Sequence, residues 1–235
     1  MGSFEDHGPG APMGDYLLAE AIARRIAARA TEAGTPCLLA PTLPFGGADW
    51  FGPVPGAIAL APATIRAVIH DMLAALLRHR CTRLIIVNGH GGNAAPIHEA
   101  TLAIRQRDGV IIPSLYLWKI ATAWLPPGNS GHTTGHTADP VLAIARHLFP
   151  DLCPPLAIPP TTPAPPPTLL GLPITGFGTA TLDDAPIDLP LDYTDIAPTL
   201  TAATTANGAT LTERLVTLGT KLATKLANNT TTRKE

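Results

Sequence analysis

The sequence predicts an α/β fold with a largely parallel sheet, on three observations. Leu84–Val87 (Leu-Ile-Ile-Val) is short and apolar throughout, as expected of a strand covered on both faces. Stretches with apolar residues at helical spacing alternate with such short runs. A glycine-rich turn, Asn88–Asn93, joins the central run to the next helical stretch. With 46 % hydrophobic and 14 % charged residues, the chain can bury a core and is too apolar to stay disordered. Its 235 residues suit one domain, read as 1–235.

The elements follow in order. Met1–Asp15 is turn-rich and carries Glu5, Asp6, His7 and Asp15. Leu17, Ala21, Ile22, Ile26 and Ala30 mark a helix from Tyr16 to about Ala33, with Gly34 as its stop. Cys37–Ala40 is a short strand candidate, Pro41–Pro55 a loop, and Ile58–Leu60 another strand candidate. Ile65, Val68, Ile69, Met72, Leu73, Leu76 and Leu77 mark a second helix from Pro62 to about Arg80. After the strand at Leu84–Val87, a third helix runs from about Ala94 to Arg107, with Asn93 as candidate N-cap and Pro96 tolerated in its first turn. Val110–Leu117 is the next strand. A Gly/His/Thr-rich loop spans Pro126–Asp139, and a helix runs from about Pro140 to Leu148. The Pro/Thr-rich segment at about 154–167 is expected to be extended, and a last helix at about 211–226 brings the chain back to dock.

Composition excludes several classes. Sixteen basic against 18 acidic residues give a net charge of −2, without the basic footprint of a nucleic-acid binder. No apolar run long enough to span a membrane escapes proline or charge, and the uncharged stretch Leu152–Leu182 is broken by prolines. No secretory leader is visible, and Cys37, Cys81 and Cys153 read as reduced thiols, so a cytoplasmic location is expected.

Three groups of residues carry chemistry. Glu5 and His7, at i and i+2 in an extended segment, point to one face and can ligate a borderline divalent metal, although such pairs also occur on surfaces by chance. Asp15 lies just ahead of a helix, where a carboxylate could bridge two metals. Asn88-Gly89-His90-Gly91-Gly92-Asn93 places His90 at the carboxyl end of a strand, where open α/β sheets bind ligands; packing of helix on sheet would also account for its glycines. A phosphate loop is excluded, since neither of its patterns is present. In Gly131–Pro140, His136 could serve as proton donor and Asp139 as a further carboxylate. His70, His79, His98 and His147 read as surface or packing residues, with His98-Glu99 a weaker candidate for supporting a ligand. His132 ranks below His136 in the loop. Trp50 and Trp118 read as core, and Trp124 as the tryptophan to consider for a substrate lid.

These residues resemble the creatininase (creatinine amidohydrolase) family. Gly2-Ser3-Phe4-Glu5-Asp6-His7-Gly8 is similar to its opening motif, and Asn88–Asn93 matches its strand-end motif throughout. Pro55–Leu60 and the region from Gly208 are similar to further family segments. The resemblance implies a three-layer α/β/α sandwich with a mostly parallel central sheet. The family has a strand ahead of Gly-Ser, so with Met1 at the head of this chain the first strand is expected to be missing or truncated. It also implies two divalent ions per chain (zinc, manganese or iron), held by Glu5, His7, Asp15 and His90 with Asp15 bridging. His136 would protonate the leaving nitrogen.

Creatininase carries a glutamate two residues after the metal histidine, where this chain has Gly92; Asp139 is the expected substitute. Asp15 comes one residue early, and Asp49 and Trp50 stand near the place of an acidic–histidine pair. The implied reaction is hydrolysis of a C–N bond other than an ordinary peptide bond, in a small cyclic amide, lactam or formamide, by a metal-activated water. Creatinine itself is not expected, because of Gly92. Two rivals are a metal-dependent hydrolase of a cyclic ketone or lactone, and a non-catalytic oligomeric scaffold or metal-binding module. The expected partners are a small-molecule substrate and further copies of the chain, in a homo-oligomer that in the family is often a hexamer, with neither nucleic acid nor membrane.

Overall fold

The computed structural model describes residues 1–8, 10–47, 54–125, 134–154, 167–176, 178–191 and 206–229. Asp49, Trp50, His132 and the Pro/Thr-rich residues 155–166 lie outside them.

Helix α1 (Asp15–Glu32) buries Ile22, Ile26 and Ala30 as expected, together with Leu18, Ala19 and Ala23, while Leu17 and Ala21 are half-buried. It is followed by α2 (Pro62–Arg78), β1 (Ile86–Asn88), α3 (Ala94–Asp108), β2 (Ser114–Tyr116) and α4 (Leu117–Thr122). Two short strands, β3 (Thr134–Gly135) and β4 (Asp139–Pro140), lead into α5 (Val141–Leu148). An antiparallel four-stranded sheet then forms from β5 (Thr168–Leu169), β6 (Leu172–Gly176), β7 (Thr179–Leu182) and β8 (Ala185–Asp188), before α6 (Gly208–Asn228).

The three layers are visible in how consecutive residues of one run part company. Ile85 and Val87 pack into a cluster built on Leu18, Ile22, Leu117, Ile144 and Leu215, from α1, α4, α5 and α6. Leu84 and Ile86 pack into the opposite cluster, built on Ile65, Ile69, Ile97 and Ile104 from α2 and α3. Period-two alternation in a strand thus feeds two helical layers. β1 and β2 run parallel, with Asn88 opposite Tyr116. On the other side of β1, the Met1 ammonium donates to the Val87 carbonyl at 2.8 Å and Gly89 N–H donates to the Met1 carbonyl at 3.0 Å. Gly2 N–H reaches Leu43 at 3.2 Å, so Met1–Gly2 holds the end of the expected first strand's place.

Several expectations change. Leu84–Val87 is half-buried, because beside β1 only the Met1–Gly2 backbone continues the sheet among the described residues. Cys37–Ala40 forms no strand; its backbone carbonyls and N–H groups join no ladder there, and Leu38 is fully exposed. Ile58–Leu60 makes only single bridges, Ile58 with Phe4 and Ala59 with Gly46. The strand predicted over Val110–Leu117 shortens to three residues and hands directly to α4. Asn93 precedes α3 without capping it by its side chain, which is committed elsewhere. The β5–β8 sheet was not anticipated: proline, threonine and glycine punctuate its strands too often for alternation to show.

No helix among the described residues is long and apolar enough to cross a membrane. Because the two clusters lie on opposite faces of the strand layer, Ile22→Val and Ile104→Val should each cost about 0.5–1.5 kcal/mol. Their effects should add to within about 0.5 kcal/mol in urea denaturation of the double variant, and strong coupling would argue against two separate cores.

Candidate metal centre

Four stretches of chain converge at the carboxyl end of β1. The segment after Ser3 brings Glu5 and His7, the first turn of α1 brings Asp15, the turn after Asn88 brings His90, and the link from β3 to β4 brings His136. All five side chains are buried, Glu5 completely.

The two asparagines of the turn do the positioning. Asn88 donates from Nδ2 to the His90 carbonyl at 2.7 Å and accepts from His90 N–H at 3.1 Å, fixing the backbone on both sides of that residue. Asn93 donates to the Gly2 carbonyl at 3.1 Å and accepts from Gly47 N–H at 3.0 Å, so it ties the N-terminal segment and the loop after Leu43 to the turn. Asp15 accepts from Ser3 N–H at 2.7 Å through Oδ1, which leaves Oδ2 facing inward. The Trp118 indole donates to the Gly89 carbonyl from behind, as befits a core tryptophan. Trp124 instead carries the Arg214 guanidinium of α6 4.1 Å from its ring centroid and packs on the hydrophobic cluster of α1, α4, α5 and α6.

The three histidines share one arrangement. Each has a ring nitrogen against a backbone carbonyl, which can only accept, so that nitrogen carries the hydrogen. His7 donates from Nδ1 to the Glu5 carbonyl (3.3 Å), His90 from Nε2 to Gly47 (2.7 Å), and His136 from Nε2 to Asp6 (2.6 Å). The other nitrogen of each faces the carboxylates. His90 Nδ1 is 2.9 Å from Glu5 Oε1 and 3.1 Å from Asp15 Oδ2. His7 Nε2 is 3.5 Å from Glu5 Oε1 and 3.8 Å from Asp15 Oδ2. His136 Nδ1 is 3.7 Å from Glu5 Oε1, with its ring stacked on His7 at 3.9 Å between centroids. A histidine with one nitrogen pinned to a carbonyl and the other aimed at carboxylates has the geometry of a metal ligand.

Two groups can each hold an ion: Glu5 with Asp15 and His90, and Glu5 with His7 and His136. Glu5 belongs to both groups, and Asp15 Oδ2, 3.1 Å from His90 and 3.8 Å from His7, faces the same two histidines. Neither oxygen of the buried Glu5 carboxylate accepts a well-formed hydrogen bond. Burying such a group without a donor is costly, and a cation is the partner that this donor set fits.

Electrostatics follow from burial and crowding. Burial, and then His136 and His90, push the His7 imidazole well down, and burial pushes His136 down to about 4. For His90 burial works in the opposite sense to the net effect, but Asp15 and Glu5 at Nδ1 hold it well above the ordinary value. Burial, with Glu5 adding to it, raises Asp15, while His90 opposes.

Asp139 is buried but joins neither group; its Oδ2 accepts from Ala206 N–H at 2.9 Å and anchors the approach to α6. His136 does reach the cluster, with Nε2 on the Asp6 carbonyl and Nδ1 towards Glu5. His70, His79, His98 and His147 join neither group. Tyr116 was missed. Burial, then the charges of Asp15 and Glu5, push its phenol up to about 12, so it stays protonated beside the cluster. Its place at the carboxyl end of the strand next to β1 was the available signal.

A pH dependence follows in chelator-treated protein. Between about 6.5 and about 4 the unfolded chain binds a proton at His136 that the folded chain does not. Stability is therefore lost on acidification through that window, with a slope from this group of about 1.4 kcal/mol per pH unit. His7 acts in the same sense. His90 adds stability below about 6.5 that fades as pH rises through its folded value. Urea melts from pH 4 to 6.5 should show the slope shrinking in His136→Asn; an unchanged slope would contradict this account.

Comparison with known proteins agrees with the geometry. The Creatininase family, described as creatinine amidohydrolase, matches residues 1–222. A mycofactocin precursor peptide peptidase of Mycobacterium tuberculosis (strain ATCC 25618 / H37Rv) is 31 % identical over 163 residues, covering 64 % of this chain and 57 % of the relative. A creatinine amidohydrolase of Pseudomonas putida is 33 % identical over 116 residues, covering 45 % of this chain and 42 % of the relative. The chain thus spans less than two thirds of the length of these curated relatives. Among solved structures, a creatininase mutant complexed with creatine superposes with a TM-score of 0.66 at 22 % identity, over 96 % of this chain and 89 % of that one. A manganese creatininase superposes with a TM-score of 0.64 at 20 % identity, over 98 % and 89 %. Both share the α/β/α fold. With the family matched over residues 1–222, nearly its whole length, this chain belongs to the creatininase family.

Proposed function

We propose that this protein is a metal-dependent amidohydrolase that hydrolyses the C–N bond of a small cyclic amide, lactam or formamide. The observation that carries the reading is the buried Glu5 carboxylate, without hydrogen-bond donors and shared by two groups of ligand atoms. Glu5, His7, Asp15 and His90 would hold two divalent ions of the zinc, manganese or iron type. When bound, such ions supply a water of lowered pKa and polarise the amide carbonyl.

The chain's own residues prepare the site for that chemistry. The carbonyls of Glu5 and Gly47 fix His7 and His90 in the ligand tautomer. Ser3 N–H turns Asp15 inward. Tyr116, held protonated, is the donor available to hydrogen-bond a substrate carbonyl or leaving nitrogen, a role given to His136 on sequence grounds.

A second reading, cleavage of a peptide amide, is favoured by one observation. The similarity to the mycofactocin precursor peptide peptidase extends over more of this chain than that to the creatinine amidohydrolase. Assembly into a homo-oligomer belongs to the same proposal, and Leu38 and Leu39, exposed after α1, are apolar surface such an assembly could cover; a monomer in light scattering would count against it.

Elemental analysis of protein purified without chelators should find about two divalent ions per chain, with most of them lost in His90→Ala. The loaded protein should release an amine together with a carboxylate from a panel of lactams, cyclic amides and formamides. Release from peptides instead would support the second reading. A new carboxylate without an amine would point to a lactone or cyclic ketone. A wild-type chain that takes up no metal even after reconstitution would leave a non-catalytic scaffold.

A further inference from the structure

We propose that His136 is itself a metal ligand, through Nδ1, completing a set of three imidazoles and two carboxylates that favours zinc over manganese. The inference rests on the metal-centre reading above and goes beyond it in naming the fifth donor and its consequence for metal choice.

The first argument is the place where a third carboxylate cannot be. Two residues after His90 the chain has Gly92, and a Cβ there would lie 1.6 Å from the Gly47 carbonyl oxygen and 2.9 Å from His90 Nε2. The loop after Leu43 fills that space, so no acidic side chain fits. The other nearby carboxylates are engaged: Asp6 accepts from Gly8 N–H at 2.8 Å, and Asp139 from Ala206 N–H at 2.9 Å. Among the described residues, only Glu5 and Asp15 bring carboxylates to the cluster.

The second argument is the likeness of His136 to the two other histidines. Its Nε2–H donates to the Asp6 carbonyl, and its Nδ1 faces Glu5 Oε1 at 3.7 Å, in one group of ligand atoms with His7. Two donors about 2.0–2.1 Å from one tetrahedral ion stand roughly 3.4 Å apart, so this spacing, like the 3.5 Å from His7 to Glu5, is that of co-ligands. The stacking of His136 on His7 keeps both lone pairs on the same side. Exchange of a carboxylate for a neutral imidazole moves the site away from oxygen-preferring ions such as manganese and towards zinc or cobalt.

The test is metal partition in chelator-treated protein offered equimolar zinc and manganese, with bound metal read by mass spectrometry. Wild type should take zinc. His136→Phe, which keeps an aromatic ring against His7 but has no nitrogen, should lose more than about tenfold in zinc affinity at one of the two ions. His136→Asp should shift the zinc-to-manganese ratio towards manganese by about tenfold or more. A second measurement needs no variant. In the cobalt-loaded wild type, each ligating imidazole with its other N–H held by a carbonyl should give one paramagnetically shifted exchangeable proton, and three are expected. Two such signals, or an unchanged zinc affinity and metal ratio in both variants, would overturn the role of His136 while leaving the metal centre intact. No metal uptake by wild type would overturn both.

Discussion

A carboxylate sealed from water and given no hydrogen bond is the constraint on which the rest of this molecule turns. Glu5 is fully buried, and its two oxygens are surrounded by imidazole nitrogens and a second carboxylate rather than by backbone N–H groups. Most buried acids are stabilised by donors. Here the nearby donors are spent on other acceptors: Ser3 N–H on Asp15, and the histidine N–H groups on backbone carbonyls. What remains around Glu5 is imidazole nitrogen and a second carboxylate, a setting that suits a cation, as the raised His90 between Glu5 and Asp15 already shows.

Backbone carbonyls are the quiet part of this arrangement. Those of Glu5, Asp6 and Gly47 each decide which nitrogen of a histidine holds the hydrogen, and so which one is free to ligate. The asparagines then hold the carbonyls in place. Asn93 reaches both Gly2 and Gly47, and Asn88 clamps the peptide groups of His90. The matched Asn-Gly-His-Gly-Gly-Asn turn is therefore a frame with a ligand at its centre, in which the two asparagines do structural work for elements far away in sequence.

Much of this was legible in the sequence, for identifiable reasons. Helices α1, α2, α3, α5 and α6 announced themselves through apolar spacing, and the strand run at Leu84–Val87 marked the layer between them. Glu5, His7, Asp15 and His90 could be named because the segments that carry them resemble family motifs; residue type and spacing alone left the Glu5–His7 pair open. What could not be read depends on contacts made across the fold. Asp139 looked like a ligand but turns to a backbone N–H near residue 206, a partner no local pattern reveals. His136 was placed in the site, but its role depends on a carbonyl 130 residues away. Tyr116 was overlooked because only the parallel register with Asn88 brings it to the cluster. The β5–β8 sheet was hidden by composition.

The order in which these parts leave the ribosome has its own consequence. Every candidate ligand lies within the first 136 residues, yet the wall behind Asp15 is completed by α6, whose Glu213 pairs with Arg29 from 184 residues away. Contacts of such long sequence separation form late and slow the search for the native state. A nascent chain therefore presents all of these candidate ligands before the helix that packs on α1 exists, and any ion captured at that stage would wait for the C-terminal region to be locked in.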